Sequence, residues 1–349
     1  MPSDQANKTR QAIHRAAPWW LPGGHLQTIW PALKARHLPA PDVAFISYRR
    51  ERWQTPDDDF IDVDWQESRH EKDDNTPMLV LFHGLEGSSR SHYALAFARY
   101  ARDHGWRFVV PHFRGCGGEI NRAPRAYHSG DFEEIGWVLQ RLRQRSHKAL
   151  MVVGVSLGGN ALLRWAQEAG SQATVVASAV ASVSAPIDLS ASGHAMGVGF
   201  NRWVYTRMFL NSMKPKAMQK LAQYPGLFSA QAMLSTRTLF EFDNVFTAPL
   251  HGFQNTVDYW KKASASPHLA SIRVPTLLLN AQNDPFVPAA SLPKAGEVGQ
   301  YVQLCQPRHG GHVGFAQAPW PGDTHALAET VGHWLAQQSS LTLKDDSHG

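Results

Sequence analysis

The sequence predicts an α/β fold in which a mostly parallel central sheet is flanked by helices. Short apolar stretches alternate with helical periodicity from residue 78 onward, which is typical of a parallel sheet with right-handed crossovers. One of these stretches leads through a glycine-flanked serine, Ser156, straight into a helical pattern. A mainly helical, aromatic-rich insertion at 189–267, here called the cap, then interrupts the alternation before the strands resume.

Length and composition limit the classes of protein. We expect the 349 residues to form a single domain, 1–349, with the cap as an insertion and 1–17 and 339–349 as flexible tails. The net charge of +5 comes from scattered basic residues, so no nucleic-acid partner is expected. The 18 histidines show no metal-ligand spacing on a helix, and no metal is expected.

Cysteine content and hydropathy indicate the cellular compartment of the protein. The only cysteines are Cys116 and Cys305, and residues 1–15 lack the apolar core of a signal peptide. The longest run of small apolar residues, 173–183, is well short of the ~20 residues that a membrane helix needs. A cytoplasmic protein without an integral membrane span is therefore predicted.

The residues before the alternating strands and helices are predicted to form an arm and a hairpin at the edge of the sheet. Residues 18–28 place aromatics between glycine and proline and are predicted to be an ordered arm over the fold. Residues 43–49 and 60–65 alternate like half-exposed strands, and the turn 55–58 joins them into an antiparallel hairpin at the sheet edge.

The remaining elements follow in order along the chain. Strands are predicted at 78–82, 106–111, 149–153, 174–184, 274–280 and 301–305. Helices are predicted at 93–104, 132–145 and 326–337, with a further helix directly after Ser156.

Ser156 has the context of a nucleophile. It is the serine of a G-x-S-x-G pattern with a strand before it and a helix after it. Such a turn holds the serine on a strained backbone, and Gly154 and Gly158 are small because strand and helix cross closely there. A G-x-S-x-G pattern alone would be weak evidence for a nucleophile, because glycine-rich turns also occur for purely steric reasons.

A serine nucleophile needs a histidine base and an acid that orients the base. Asp284 follows a strand and is the expected acid; Asp188 also follows a strand but is better explained as a helix cap. His312 is the expected base because it lies deeper in a glycine loop than His309, which we take as a solvated or bracing neighbour. The order serine, acid, histidine is that of α/β-hydrolases and differs from trypsin-like and subtilisin-like proteases.

Oxyanion donors and two further polar residues complete the candidates. The backbone N–H groups of Leu85 and Leu157 are predicted to form the oxyanion hole. For Arg114 we expect a structural ion pair with a loop acid such as Asp131 rather than a substrate contact. For His25 we expect a bracing role in a loop rather than a place in the wall of the active site.

At these residues the chain resembles the YheT-like branch of the α/β-hydrolases, which is related to the eukaryotic ABHD esterases and lipases. The matching motifs cover nearly everything except the two tails: GHLQT (24–28), HGLEGS (83–88), FRGCG (113–117), HSGD (128–131), GVSLGGN (154–160), GFNR (199–202), NDP (283–285) and HGGHVGF (309–315). The resemblance implies an α/β-hydrolase fold, and the insertion at 189–267 places the cap before the strand that bears the acid. It also implies a cofactor-free serine carboxylesterase or acyltransferase with Ser156, Asp284 and His312 as its triad.

The leading hypothesis is a serine hydrolase that cleaves short- to medium-chain carboxylic esters through an acyl-enzyme. Its expected partner is a small ester with an apolar acyl group, and the sequence does not indicate an oligomeric state. Two alternatives are an acyltransferase that passes the acyl group to an alcohol and a non-catalytic ligand-binding scaffold of the same fold. An intact triad argues against the scaffold, because binding alone needs no Asp284.

Overall fold

The computed structural model describes residues 17–36, 46–67, 74–317 and 319–345. Within them, eight strands form one sheet in the order β1-β2-β4-β3-β5-β6-β7-β8. β1 pairs antiparallel with β2 and β2 antiparallel with β4, and all other pairs are parallel. The strands are β1 Tyr48–Gln54, β2 Phe60–Gln66, β3 Met78–Phe82, β4 Arg107–Pro111, β5 Leu150–Val155, β6 Ala177–Val183, β7 Thr276–Leu279 and β8 Val302–Cys305.

Helices cover both faces of the sheet and form the cap. They are α1 Gly23–Arg36, α2 His92–Asp103, α3 Phe132–Arg143, α4 Leu157–Ala169, α5 Leu189–Met196, α6 Arg207–Gln223, α7 Ala230–Ser235, α8 Leu239–Val245, α9 Thr247–Leu250, α10 Thr256–Ala263 and α11 Ala326–Asp345. Shorter helical turns lie at Gly170–Gln172, Ala173–Val176, Gly199–Asn201, Arg202–Thr206, Ser266–Ser271, Ala289–Ser291 and Ala295–Glu297.

The core consists of two apolar layers, one on each face of the sheet. Side chains of a strand alternate between faces, so Val80 and Phe82 of β3 pack with α3 and α4. Leu79 and Leu81 pack on the opposite face with α2 and α11. Because both faces are covered, β3 and β5 are buried along their whole length, which explains why they read as continuous apolar runs. The predicted fold class is confirmed.

The first strand begins later than predicted. β1 runs from Tyr48 to Gln54, and residues 43–45 of the predicted strand lie outside the described residues. The charged side chains of β1 conceal the strand in the sequence. A strand at the exposed edge of a sheet can carry such charges. Arg50 pairs with Asp64 at 2.7 Å and Arg52 with Asp62 at 2.8 Å across the hairpin, so those charges help to fix its register.

Three other boundaries also differ from the prediction. Residues 174–176 belong to the helical turn Ala173–Val176, and β6 begins only at Ala177. α11 continues to Asp345, so residues 339–345 of the predicted C-terminal tail are helical. Residues 23–28 of the predicted arm form the start of α1, whose two glycines and internal Pro31 conceal its helical pattern. Residues 1–16 and 346–349 of the predicted tails lie outside the described residues.

Among the helices of the described ranges, none is long and apolar enough to cross a bilayer. The cytoplasmic location stays a prediction.

Candidate active site

Ser156 occupies a strained turn between β5 and α4. Its backbone has φ 53° and ψ −120°, a conformation that non-glycine residues rarely adopt, and its N–H donates to the carbonyl of Val183 at 2.8 Å. A Cβ on Gly158 would lie 2.5 Å from the backbone oxygen of His83, and one on Gly154 would lie 2.5 Å from that of Gly158. The two glycines are therefore required by the close approach of strand and helix, as predicted.

The three predicted side chains meet at the carboxyl edge of the sheet. His312 Nε2 lies 3.0 Å from Ser156 Oγ, and His312 Nδ1 lies 2.8 Å from Asp284 Oδ2. The other oxygen of Asp284 accepts the backbone N–H groups of Phe286 at 2.8 Å and Val287 at 3.3 Å. A carboxylate fixed in this way selects the imidazole tautomer with hydrogen on Nδ1, which leaves Nε2 free to accept a proton from the serine.

The two rival residues lie elsewhere. Asp188 caps α5, where its Oδ1 accepts the N–H of Ala191 at 2.9 Å. His309 is exposed to solvent. The structure brings together Ser156, Asp284 and His312, and no hydrogen bond among the described residues joins either rival to them.

α1 braces the loops that carry the acid and the base. Thr28 Oγ1 accepts the backbone N–H of His312 at 2.8 Å, and Gln27 Oε1 accepts that of Gly310 at 2.9 Å. The same Gln27 oxygen accepts from Asn283 Nδ2 at 2.9 Å, next to the acid in sequence. The sequence reasoning missed this brace; the available signal was a pair of polar residues, Gln27 and Thr28, inside an aromatic arm.

The turn after β3 leaves one donor free beside the serine. On either side of Leu85, backbone N–H groups donate to the hydroxyls of Tyr93 at 2.9 Å and Tyr127 at 3.0 Å. The N–H groups of Leu85 and Leu157 meet no acceptor among the described residues, and both residues line the same cavity as Ser156. They are thus available to a developing negative charge.

A buried histidine stabilises this turn in its neutral form. His83 Nδ1 donates to the carbonyl of Gly84 at 2.8 Å, and Nε2 accepts the N–H of Phe113 at 3.2 Å. Burial lowers the pKa of His83 to about 3. Protonation would remove the acceptor that Phe113 uses, which is consistent with a neutral ring.

An ion pair connects the same turn to the cap. Lys216 Nζ of α6 lies 2.8 Å from Glu86 Oε2, and the hydroxyl of Tyr127 donates to Glu86 Oε1 at 2.9 Å. Glu86 has a left-handed backbone with φ 55° and follows Leu85 directly. The position of the Leu85 donor therefore depends on a contact made by the cap.

A cavity of about 170 Å³ lies between the cap and the strained turn that holds Ser156. Ser156, Leu157, Leu85 and His312 contribute to its lining on the side of the sheet. The cap contributes a mostly apolar roof: Leu189, Met196, Phe209, Met213, Leu239, Phe242, Phe246, Tyr259 and Trp260.

Polar groups also reach the cavity. Burial raises the pKa of Asp243 to about 6 and lowers that of Lys220 to about 8, so both are less easily charged than their exposed counterparts.

Comparison with known proteins agrees with this geometry. A family model described as the alpha/beta hydrolase fold matches residues 77–319. The chain belongs to this family. It is 42% identical over 314 residues to YheT of Escherichia coli strain K12, a candidate esterase, with 89% of each chain covered. It is 29% identical over 286 residues to the Homo sapiens phospholipase ABHD3, covering 79% of this chain and 68% of that protein.

A solved structure shows the same fold. Mouse alpha/beta hydrolase domain-containing protein 10 superposes with a TM-score of 0.53 and 14% identity, over 83% of this chain and 99% of that one. The similarity to YheT confirms the YheT-like resemblance seen in the motifs. By its relationship to YheT and ABHD3, the chain is a hydrolase of the esterase and lipase type.

Arg114 has a structural role in this α/β-hydrolase, but the predicted partner is wrong. Asp131 instead pairs with Arg125 at 2.7 Å, because Arg114 is turned toward the β1–β2 turn. The Arg114 guanidinium, which is buried, binds three carboxylates: Asp57, Asp59 and Glu134.

His25 also braces the hydrolase, though from a helix and not from a loop. Its Nδ1 lies 3.2 Å from the hydroxyl of Tyr205, and its ring centroid lies 4.5 Å from that of Phe200. These contacts join α1 to the cap.

Within the described ranges, no three His, Cys, Asp or Glu side chains of the hydrolase converge in a way that could hold a metal ion.

Proposed function

We propose that this hydrolase cleaves carboxylic esters through an acyl-enzyme on Ser156. The observation that carries the proposal is the continuous hydrogen-bonded chain from Ser156 Oγ through both ring nitrogens of His312 to Asp284. A merely structural serine would not need a base and an oriented acid aligned behind it. The named activities of the relatives, esterase, phospholipase and monoacylglycerol lipase, support an ester as substrate.

Each residue has one role in the proposed reaction. Ser156 Oγ attacks the ester carbonyl carbon while its proton passes to His312 Nε2, and Asp284 stabilises the imidazolium that forms. The N–H groups of Leu85 and Leu157 bind the oxyanion. His312 then gives the proton to the departing alkoxide, and a water repeats the sequence to release the acid and regenerate the serine.

The cap supplies the preference for the acyl group. Phe209, Phe242 and Phe246 of the aromatic-rich cap line the cavity. Each methylene buried there adds up to ~0.8 kcal/mol of transition-state binding until the space is full. We therefore infer that kcat/KM rises from acetyl to medium-chain esters.

The test is a series of p-nitrophenyl esters from acetate to dodecanoate, with Ser156→Ala as the inactive control. A rise to an optimum at medium chain length supports the proposal. If kcat/KM stays level or falls with acyl-chain length while activity is intact, the roof does not select the acyl group by its length. Turnover that increases when an aliphatic alcohol is added would favour acyl transfer, and wild-type protein without any turnover would favour the scaffold.

A further inference from the structure

A row of large apolar side chains on the cap is exposed to solvent. Trp203 is 67% exposed, Val198 65% and Met208 50%, and Phe200 and Val204 lie between them in the sequence and are also exposed. We call these five residues the cap ridge. Single exposed apolar residues are ordinary, but five within one segment, with a tryptophan and a phenylalanine among them, indicate an interaction surface.

The segment that carries the cap ridge packs directly on the acid loop. Asn201 Nδ2 donates to the carbonyl of Pro285 at 2.6 Å, and the rings of Tyr205 and Phe286 lie 4.6 Å apart. Phe286 in turn lies 4.1 Å from the ring of His312. The inner side of the segment thus supports the active site, while the cap ridge faces outward from the same few residues.

The charged residues of the segment that carries the cap ridge have one sign. Residues 189–240 contain no Asp or Glu and six Lys or Arg residues. Two of these lysines lie at the cavity and not at the ridge: Lys216 pairs with Glu86, and Lys220 is buried. Arg202 and Arg207 lie within the ridge segment, and Arg202 stacks over the ring of Trp203 at 5.6 Å. In the described part of the chain, neither arginine has a carboxylate partner within ion-pair distance.

We propose that the cap ridge docks the enzyme on an anionic lipid surface. Tryptophan and phenylalanine favour the boundary between lipid headgroups and acyl chains, and unpaired arginines beside them bind lipid phosphates. A second copy of this chain fits less well, because a two-fold contact would bring two cationic ridges face to face. Phe209, which follows the ridge residue Met208 in the chain, lines the cavity, so docking would bring the cavity close to the phase in which apolar esters dissolve. The proposal concerns binding and does not depend on the proposed ester hydrolysis.

The experiment measures co-sedimentation of the full chain with sucrose-loaded vesicles. Vesicles of phosphatidylcholine with phosphatidylglycerol are compared with vesicles of phosphatidylcholine alone, at low and high salt. The test variant is Trp203→Glu/Met208→Glu, which changes two ridge residues that do not line the cavity. Its matched control is Val175→Glu/Val257→Glu, which places two glutamates at valines that are 61% and 59% exposed outside the ridge segment.

We expect wild-type protein and the control to bind the anionic vesicles, with binding weakened by salt. The ridge variant should bind at least about tenfold less, and Arg202→Gln/Arg207→Gln should lose roughly fivefold for each arginine. Turnover of a soluble short-chain ester should be equal in all of them, which separates docking from folding and catalysis. The proposal is overturned if wild type does not bind, if the ridge variant binds like the control, or if the ridge variant instead splits a dimer seen by light scattering.

Discussion

Replacing Asp284 by asparagine isolates what a carboxylate does for His312. The shape is conserved, and the oxygen that accepts from the N–H groups of Phe286 and Val287 can be kept. At the 2.8 Å contact with His312 Nδ1, however, an amide N–H₂ would then replace the carboxylate oxygen. An amide that donates to Nδ1 forces the hydrogen onto Nε2, so the ring can no longer take the proton of Ser156.

The expected loss follows from this change of tautomer. In serine hydrolases such a loss lowers kcat by about 10⁴, which is about 5 kcal/mol of transition-state stabilisation. The assay is steady-state kcat on p-nitrophenyl butyrate, with Asp188→Asn as the matched control. Asparagine caps a helix as well as aspartate does, so the control should keep its activity and its thermal stability. A crippled Asp188→Asn, or an Asp284→Asn that retains a tenth of wild-type kcat, would refute the assignment of the acid.

Three further predictions concern the groups that support the site. Thr28→Val leaves the buried N–H of His312 unpaired, which should cost about 1–3 kcal/mol of unfolding free energy in urea and lower kcat, while Thr28→Ser restores both. Lys216→Met removes the partner of Glu86 and should lower kcat roughly tenfold at unchanged KM, a fraction of the value of an oxyanion donor; Lys262→Met, on an exposed cap ion pair, is its control. His83 has a pKa of about 3 when folded and 6.5 when unfolded, so its contribution to stability is complete above pH 6.5 and is lost as the pH falls toward 3. His83→Gln should therefore reduce the slope of unfolding free energy against pH, below pH 6.5, by up to ~1.4 kcal/mol per pH unit. Equal slopes for wild type and variant would contradict a neutral buried ring.

Local chemistry was enough to predict which three side chains the structure brings together. The strand-to-helix context of Ser156 and the glycine loop of His312 are local signals, and the chain order of the triad follows from where each strand ends. The choice of Asp284 over Asp188 was also possible, because a short acid before a helix has an ordinary use as a cap.

The parts that could not be predicted depend on contacts distant in sequence. Thr28 reaches His312 across 284 residues, and nothing near either residue indicates the pairing. For the same reason the partner of Arg114 was misassigned: Asp131 is nearer in sequence, but the fold places the β1–β2 turn against the guanidinium.

Element boundaries differed where composition concealed the pattern. β1 carries four successive charged residues, 49–52, and β2 supplies carboxylate partners for Arg50 and Arg52, so the burial pattern of β1 was visible only once the two strands were paired. α11 continues into a polar stretch that lacks the breakers that would have ended it earlier.

The most direct test of the account is the site of covalent labelling by a fluorophosphonate. Intact-protein mass spectrometry should show one adduct per chain, and peptide mapping should place it on Ser156. Labelling should disappear in Ser156→Ala, which removes only a hydroxyl from the turn between β5 and α4, with the thermal unfolding temperature unchanged. An adduct on another residue, or continued stoichiometric labelling of Ser156→Ala, would contradict the claim that Ser156 is the nucleophile.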